Sequence, residues 1–261
     1  MDTNRWLRPL LALLIAAGAV FGLAPLLAPG TFASLTGFAG TDVFVYRLAG
    51  AATFGYAVGL LAGWRASWTE LRIPIAATYV FNAASIVACL VAIAAGNAQI
   101  VVYVILLASI LFTAGTGALL RWPPLGAAGP DRPELDHPLP TWLTALFAIG
   151  VAAAAVFGLG PLILGGGFGT FVGATGADAF VYRQAGAATL GAAVGGAMVL
   201  MSRRWSAARL PALMALTFNG LSVIAAKVEI ASSATPVAYL ILVAAGLTTI
   251  GMAAALYRGG R

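Results

Sequence analysis

One stretch of this chain occurs twice, and that repetition constrains the fold more than any other feature. Residues 20–59 (VFGLAPLLAPGTFASLTGFAGTDVFVYRLAGAATFGYAVG) return without a gap as residues 156–195 (VFGLGPLILGGGFGTFVGATGADAFVYRQAGAATLGAAVG), each residue 136 positions further on. Each copy holds a hydrophobic helix end with Pro25 or Pro161, a glycine-rich connection, then Asp, Phe-Val-Tyr-Arg and a run of small residues. The likeness continues beyond it. At an offset of 137, Trp68, Pro74, Phe81, Asn82 and Ser85 match Trp205, Pro211, Phe218, Asn219 and Ser222, and at 136 again Tyr103 and Leu106 match Tyr239 and Leu242. Self-similarity at a fixed spacing marks a repeated structural unit.

Composition decides where such a unit can live. With 61% hydrophobic and 8% charged residues and a mean hydropathy of +0.98, the 261-residue chain has too little polar surface to coat a soluble globule. Its apolar runs therefore read as membrane helices of roughly 20 residues each. Eight are expected, over 7–28, 44–64, 73–95, 100–120, 142–164, 180–201, 210–230 and 237–256. The first follows Arg5 and Arg8 as a secretory signal would, but its counterpart at 142–164 lies mid-chain, so a retained helix is expected. The fold class is all-α: a polytopic membrane protein with two parallel four-helix repeats, 1–121 and 141–261, joined by a proline-rich linker at 122–140. An even number of helices per repeat inserts both the same way up, which relates them by a pseudo-twofold along the membrane normal. Pro74 and Pro211 are expected at first turns, where a missing N–H costs nothing.

The net charge of +6 does not point to nucleic acid, because the basic residues are scattered between apolar runs with no basic stripe. With the N-terminus inside, the inner side receives Arg5, Arg8, Arg65, Arg72, Arg121, Arg132, Arg203, Arg204, Arg209, Arg258 and Arg261, and the outer side only Arg47, Arg183 and Lys227. That asymmetry follows the positive-inside rule, so both termini are expected in the cytoplasm. The linker, with Asp131, Glu134 and Asp136, reads as irregular and solvated, and the single histidine, His137, as a plain surface residue of it. On the outer side, 30–41 and 165–177 are too short to span and are expected to lie in the interface or fold back over the helices.

Several polar groups stand out against this background. Asp42, Tyr46 and Arg47 recur as Asp178, Tyr182 and Arg183 at the outer mouth of the second and sixth spans. Under a pseudo-twofold, Asp42 would meet Arg183 and Asp178 would meet Arg47; the plainer reading has each Asp capping its helix while Tyr and Arg anchor among headgroups. Thr78, Asn82 and Ser85, with Thr217, Asn219 and Ser222, form polar faces that must turn to the bundle interior, either for interhelical hydrogen bonds or to line a ligand cavity. Lys227 and Glu229 stand where the first copy has Leu90 and Ala92, an asymmetry that marks a functional departure or residues that reach out to the interface. Small residues at helical spacing, Gly55, Gly59 and Gly63 or Ala187, Gly191 and Gly195, read as packing ridges faced by Gly18 and Gly22 or Ala154 and Gly158.

Other chemistry is missing from the pattern. The one cysteine, Cys89, can form no intrachain disulfide, and no metal site, phosphate-binding loop, GxSxG elbow or histidine within a span is present. A self-contained enzyme is not expected. Each block, with a helix ending in proline, a short stretch such as Pro29, Gly30 and Phe32, and a second helix opening at Arg47 or Arg183, resembles DoxX-like four-helix membrane proteins. Those are usually single four-helix units, whereas this chain fuses two. The resemblance implies a small protein of the bacterial inner (plasma) membrane, in some cases linked with quinone or thiol redox systems. Three readings follow, in this order: a non-catalytic membrane component or binding subunit of a larger complex with other membrane subunits; a small-solute transporter with a pathway at the repeat interface lined by Asn82, Asn219, Asp42 and Asp178; and a protein that binds a quinone or other isoprenoid lipid, with Tyr46, Tyr182, Arg47 or Arg183 at its head.

Overall fold

The computed structural model describes residues 3–96, 99–124, 128–233 and 235–259, so Arg261 and linker residues 125–127 lie outside the described residues. Among the described residues there are ten α-helices and no strand: α1 Thr3–Leu27, α2 Pro29–Thr36, α3 Val43–Ala62, α4 Trp68–Ala94, α5 Ile100–Arg121, α6 Thr141–Leu164, α7 Gly166–Phe171, α8 Ala179–Ser202, α9 Trp205–Ser232 and α10 Pro236–Gly259. All but α2 and α7 are long and apolar enough to cross a membrane. Even the shortest of these eight, the 20-residue α3, runs about 30 Å at 1.5 Å per residue, the thickness of a hydrocarbon core. The chain thus has the all-α polytopic membrane fold its composition requires.

Helices α4 and α9 begin five residues earlier than expected, at Trp68 and Trp205 against 73 and 210. Ahead of α4 the Ser67 hydroxyl accepts from the Glu70 N–H at 3.4 Å while the Glu70 carboxylate accepts from the Ser67 N–H at 3.2 Å. This capping box starts the helix at Trp68, whereas α9 starts at the corresponding Trp205 with no side-chain cap at Arg204. Pro74 and Pro211 consequently fall in the second turn and not the first; in α4 the capping box and not the proline sets the boundary.

Where helices meet, backbone touches backbone. A Cβ on Gly50 would lie 2.5 Å from the Gly22 carbonyl oxygen, and one on Gly186 would lie 2.6 Å from that of Gly158. Those contacts seat α1 on α3 and α6 on α8. A second set seats α3 on α9 and α8 on α4: a Cβ on Gly55 would stand 3.0 Å from the Met214 carbonyl oxygen, and one on Gly191 would stand 2.5 Å from that of Ala77. The ridge of Gly18 and Gly22 therefore does not face Gly55, Gly59 and Gly63 as expected. It meets the Gly50, Phe54 and Ala57 face, while Gly55, five residues on from Gly50 and so roughly 140° around the helix, turns to α9.

This gives a crosswise arrangement. Helix α3 packs more extensively on α9 of the other block than on α4 of its own, and α8 packs more extensively on α4 than on α9. The blocks are interleaved, so the division at the linker describes the chain and not the packing.

The linker is also more ordered than its composition suggests. Trp205 N–H donates to the His137 carbonyl at 2.9 Å, Leu139 N–H to Arg203 at 3.0 Å and Gly129 N–H to Ala66 at 2.8 Å. These bonds pin it to the α8–α9 and α3–α4 turns, and the His137 ring stacks on Trp205 at 6.3 Å. Beside it lies a buried charge. Glu70, 1% exposed, is ion-paired at 3.1 Å with Arg209 of the second block and at 4.0 Å with Arg132 of the linker. Because a buried carboxylate stripped of its partner is costly, Arg209→Ala is expected to lower stability by about 3 kcal/mol in denaturant unfolding in detergent, and Glu70→Ala with Arg209→Ala by less than the two single losses together.

Candidate functional site

At the end opposite the linker, the chain twice enters a helix through a glycine-rich turn and an aspartate. Asp42 and Asp178 stand at the N-cap positions of α3 and α8, 7% and 5% exposed, yet neither side chain caps its own helix. Each crosses to the other block instead. Asp178 Oδ1 accepts the Ala39 N–H at 2.8 Å, and its Oδ2 accepts the Gly40 N–H at 2.8 Å and the Tyr46 hydroxyl at 2.7 Å. Gly40 has φ +70°, the left-handed conformation that turns consecutive N–H groups onto one anion. On the other half, Asp42 Oδ1 accepts from the Thr175 N–H at 2.9 Å and the Thr175 hydroxyl at 2.8 Å.

The expected ion pairs of Asp42 with Arg183 and Asp178 with Arg47 are not formed. Backbone amides and hydroxyls already hold the carboxylates, and an arginine five residues on points roughly 140° away from its aspartate. The Arg183 guanidinium lies over Gly165, where a Cβ would come within 2.7 Å of its Cζ. Arg47 turns toward a cavity in the second block. The two halves of this clasp are also unequal: the Tyr46 hydroxyl donates to Asp178 at 2.7 Å, whereas the Tyr182 hydroxyl makes a looser approach to Asp42.

Two cavities flank the clasp, each walled by the four long helices of one block and by helix residues of the other. The one among α6, α8, α9, α10, α3 and α4 has a volume of about 980 Å³, against about 120 Å³ for the one among α1, α3, α4, α5 and α8. Every residue lining the small cavity has a counterpart lining the large one, and at five of these positions a large side chain in the first copy gives way to a much smaller one in the second: Leu14 and Gly150, Phe38 and Ala174, Tyr56 and Ala192, Leu60 and Gly196, Phe112 and Thr248. In the first block these residues fill the space. Tyr56, for example, packs on Phe81 at 5.1 Å and donates to the Ala188 carbonyl at 2.7 Å. The emptier second block shows in its helices too, since 56% of the α4 span is buried and only 22% of that of α9, its counterpart.

The residues singled out from the sequence divide between these places. Asp42, Arg47, Tyr182, Asn219 and Glu229 line the large cavity, and Tyr46 and Asn82 the small one. Asp178 and Arg183 line neither, and Lys227 is exposed. Asn82 and Asn219, assigned to one shared pathway, lie in separate cavities, each with its amide donating at 2.8 Å to its own helix at Thr78 or Ala215. Glu229 accepts from the Ser233 hydroxyl and does not pair with Lys227. What the sequence reading missed was the large cavity itself. Its signal was present in the five large-to-small pairs, which gain meaning only once both members are seen to line a void.

The clasp can be tested by double-mutant cycles in detergent. Asp178→Ala with Tyr46→Phe is expected to show a coupling of about 1–2 kcal/mol, and Asp178→Ala with Arg47→Ala one within about 0.5 kcal/mol.

Set against known proteins, the chain matches no protein-family model, and no curated protein or solved structure with significant similarity to it is found.

Proposed function

We propose that this integral membrane protein is a non-catalytic binding component whose ligand is a lipid-soluble molecule with a polar head and an apolar tail, seated in the cavity of the second block. The observation that carries this reading is the inequality of the two cavities. A packed core tolerates few voids, and about 980 Å³ lies at the upper end of the range that ligand pockets occupy. Along α8 the lining runs from Tyr182 to Gly196, about 21 Å of helix, long enough for an extended chain. Most of the wall is apolar, as with Phe157, Phe218, Ile241 and Met252, while Asp42, Arg47, Glu229 and Thr235 gather at the clasp end. Helices α6 and α10, its outer walls, touch each other only sparsely, which supports entry from the bilayer.

Isoprenoid lipids and quinones belong to this class of molecule, and the resemblance to DoxX-like proteins favours a bacterial inner membrane. The excess of arginine on the linker side supports a cytoplasmic location for the linker and both termini. In this reading the filled first block acts as the rigid half and offers its lipid-facing surface to any further membrane subunits.

The test is mass spectrometry of lipid extracts from protein purified in mild detergent. One molecule enriched over bulk phospholipid is expected, and it should be lost from Gly150→Leu, Ala192→Tyr, Thr248→Phe, a variant that restores the first block's residues. At Gly150 a Cβ would meet nothing within 4 Å, so the wall accepts the added side chain. Bulk phospholipid alone in the wild type, or full retention in the variant, would sink the proposal.

A further inference from the structure

We infer that the small cavity of the first block holds a cluster of ordered water molecules, bound by Asn82, Ser109 and Thr53 in the middle of the membrane. This site is separate from the large cavity and does not depend on what that one binds.

Beyond the five changes of size, the two linings differ in polarity, and always in one direction. Thr78, Ser109 and Gln184 of the small cavity stand where the large one has Ala215, Ala245 and Leu48. Some polar groups of the small cavity are spent within the protein: the Thr78 hydroxyl donates to the Pro74 carbonyl at 2.8 Å, and that of Ser85 to Gln184 at 2.5 Å. Others are not. Asn82, only 6% exposed, donates one amide N–H to the Thr78 carbonyl at 2.8 Å, and among the described residues nothing meets its Oδ1 or its second N–H. The hydroxyls of Ser109, a residue 3% exposed, and of Thr53 likewise have no partner among the described residues. Unlike Thr113 Oγ1, which is sealed off, these atoms keep accessible surface, and the space that their residues line is the cavity.

The three residues also share a level. At 1.5 Å per residue they lie about 14–18 Å below the clasp-side ends of α3, α4 and α5, near the middle of a hydrocarbon core about 30 Å thick. Lipid tails offer no hydrogen bonds at that depth, and an amide or hydroxyl left unmet there is costly. A volume of about 120 Å³ has room for about four waters at roughly 30 Å³ each, and buried water settles where several polar groups line the space, whereas an apolar cavity stays dry. Water both donates and accepts, so one cluster serves the Asn82 oxygen, its free N–H and the two hydroxyls.

The experiment is X-ray radiolytic footprinting of the protein in detergent and in water enriched in heavy oxygen. Bound waters become hydroxyl radicals that mark the side chains beside them, and the label is located by tandem mass spectrometry. Leu11 and Leu14 form an internal comparison: they lie one turn apart on α1, both buried, and only Leu14 lines the cavity. Label is expected on Leu14 and Phe112 and not on Leu11. In the variant Asn82→Leu, Ser109→Ala the space remains but most of its unmet polar groups are gone, so the label on Leu14 and Phe112 should be lost. Equal labelling of Leu11 and Leu14 in the wild type, or full retention of the Leu14 label in the variant, overturns the inference. The wild-type comparison decides the matter even where the variant fails to fold.

Discussion

Backbone contact through glycine is the constraint on which the rest of this structure depends. In lipid, helices gain nothing by hiding apolar surface from one another, and close packing has to hold them together. Gly22 against Gly50 and Gly158 against Gly186 bring each second helix onto its own first helix, and Gly55 and Gly191 bring it onto the third helix of the other block. Once α3 and α8 are drawn into the middle in this way, the loop ahead of each arrives beside the other's N-terminus. The crossed reach of Asp42 and Asp178 is then a consequence of helix packing, and needs no recognition between distant charges.

That order of causes explains what the sequence disclosed and what it withheld. The constant offset between the copies and the apolar runs were enough for eight spans, because length and hydrophobicity are local properties of a segment. Partner choice is not local. The periodicity shows that Gly18 and Gly22 share a face, but which side of α3 they meet depends on where α9 comes to lie. Aspartate and arginine in both copies suggested ion pairs on charge alone, yet the amides of Ala39, Gly40 and Thr175 and the Tyr46 hydroxyl were nearer and required less desolvation. Pro74 drew attention as a helix opener and concealed the stronger signal of Ser67 and Glu70 a turn earlier.

The polar ends of the molecule differ in character. On the linker side, Glu70, Arg209 and Arg132 join three segments through charge, and main-chain bonds hold the connecting chain to the turns. On the clasp side, uncharged donors meet the carboxylates, and one half of the clasp is complete while the other borders open space.

The unequal cavities bear on why two blocks share one chain. A protein assembled from two copies of a single four-helix polypeptide would have to place Tyr56 and Phe112, or Ala192 and Thr248, in both halves at once. Its two chambers would be both plugged or both hollow. Covalent fusion removes that obligation and lets one half specialise as ballast while the other is hollowed out, so the tandem gene product reaches a lopsidedness that no homodimer can express.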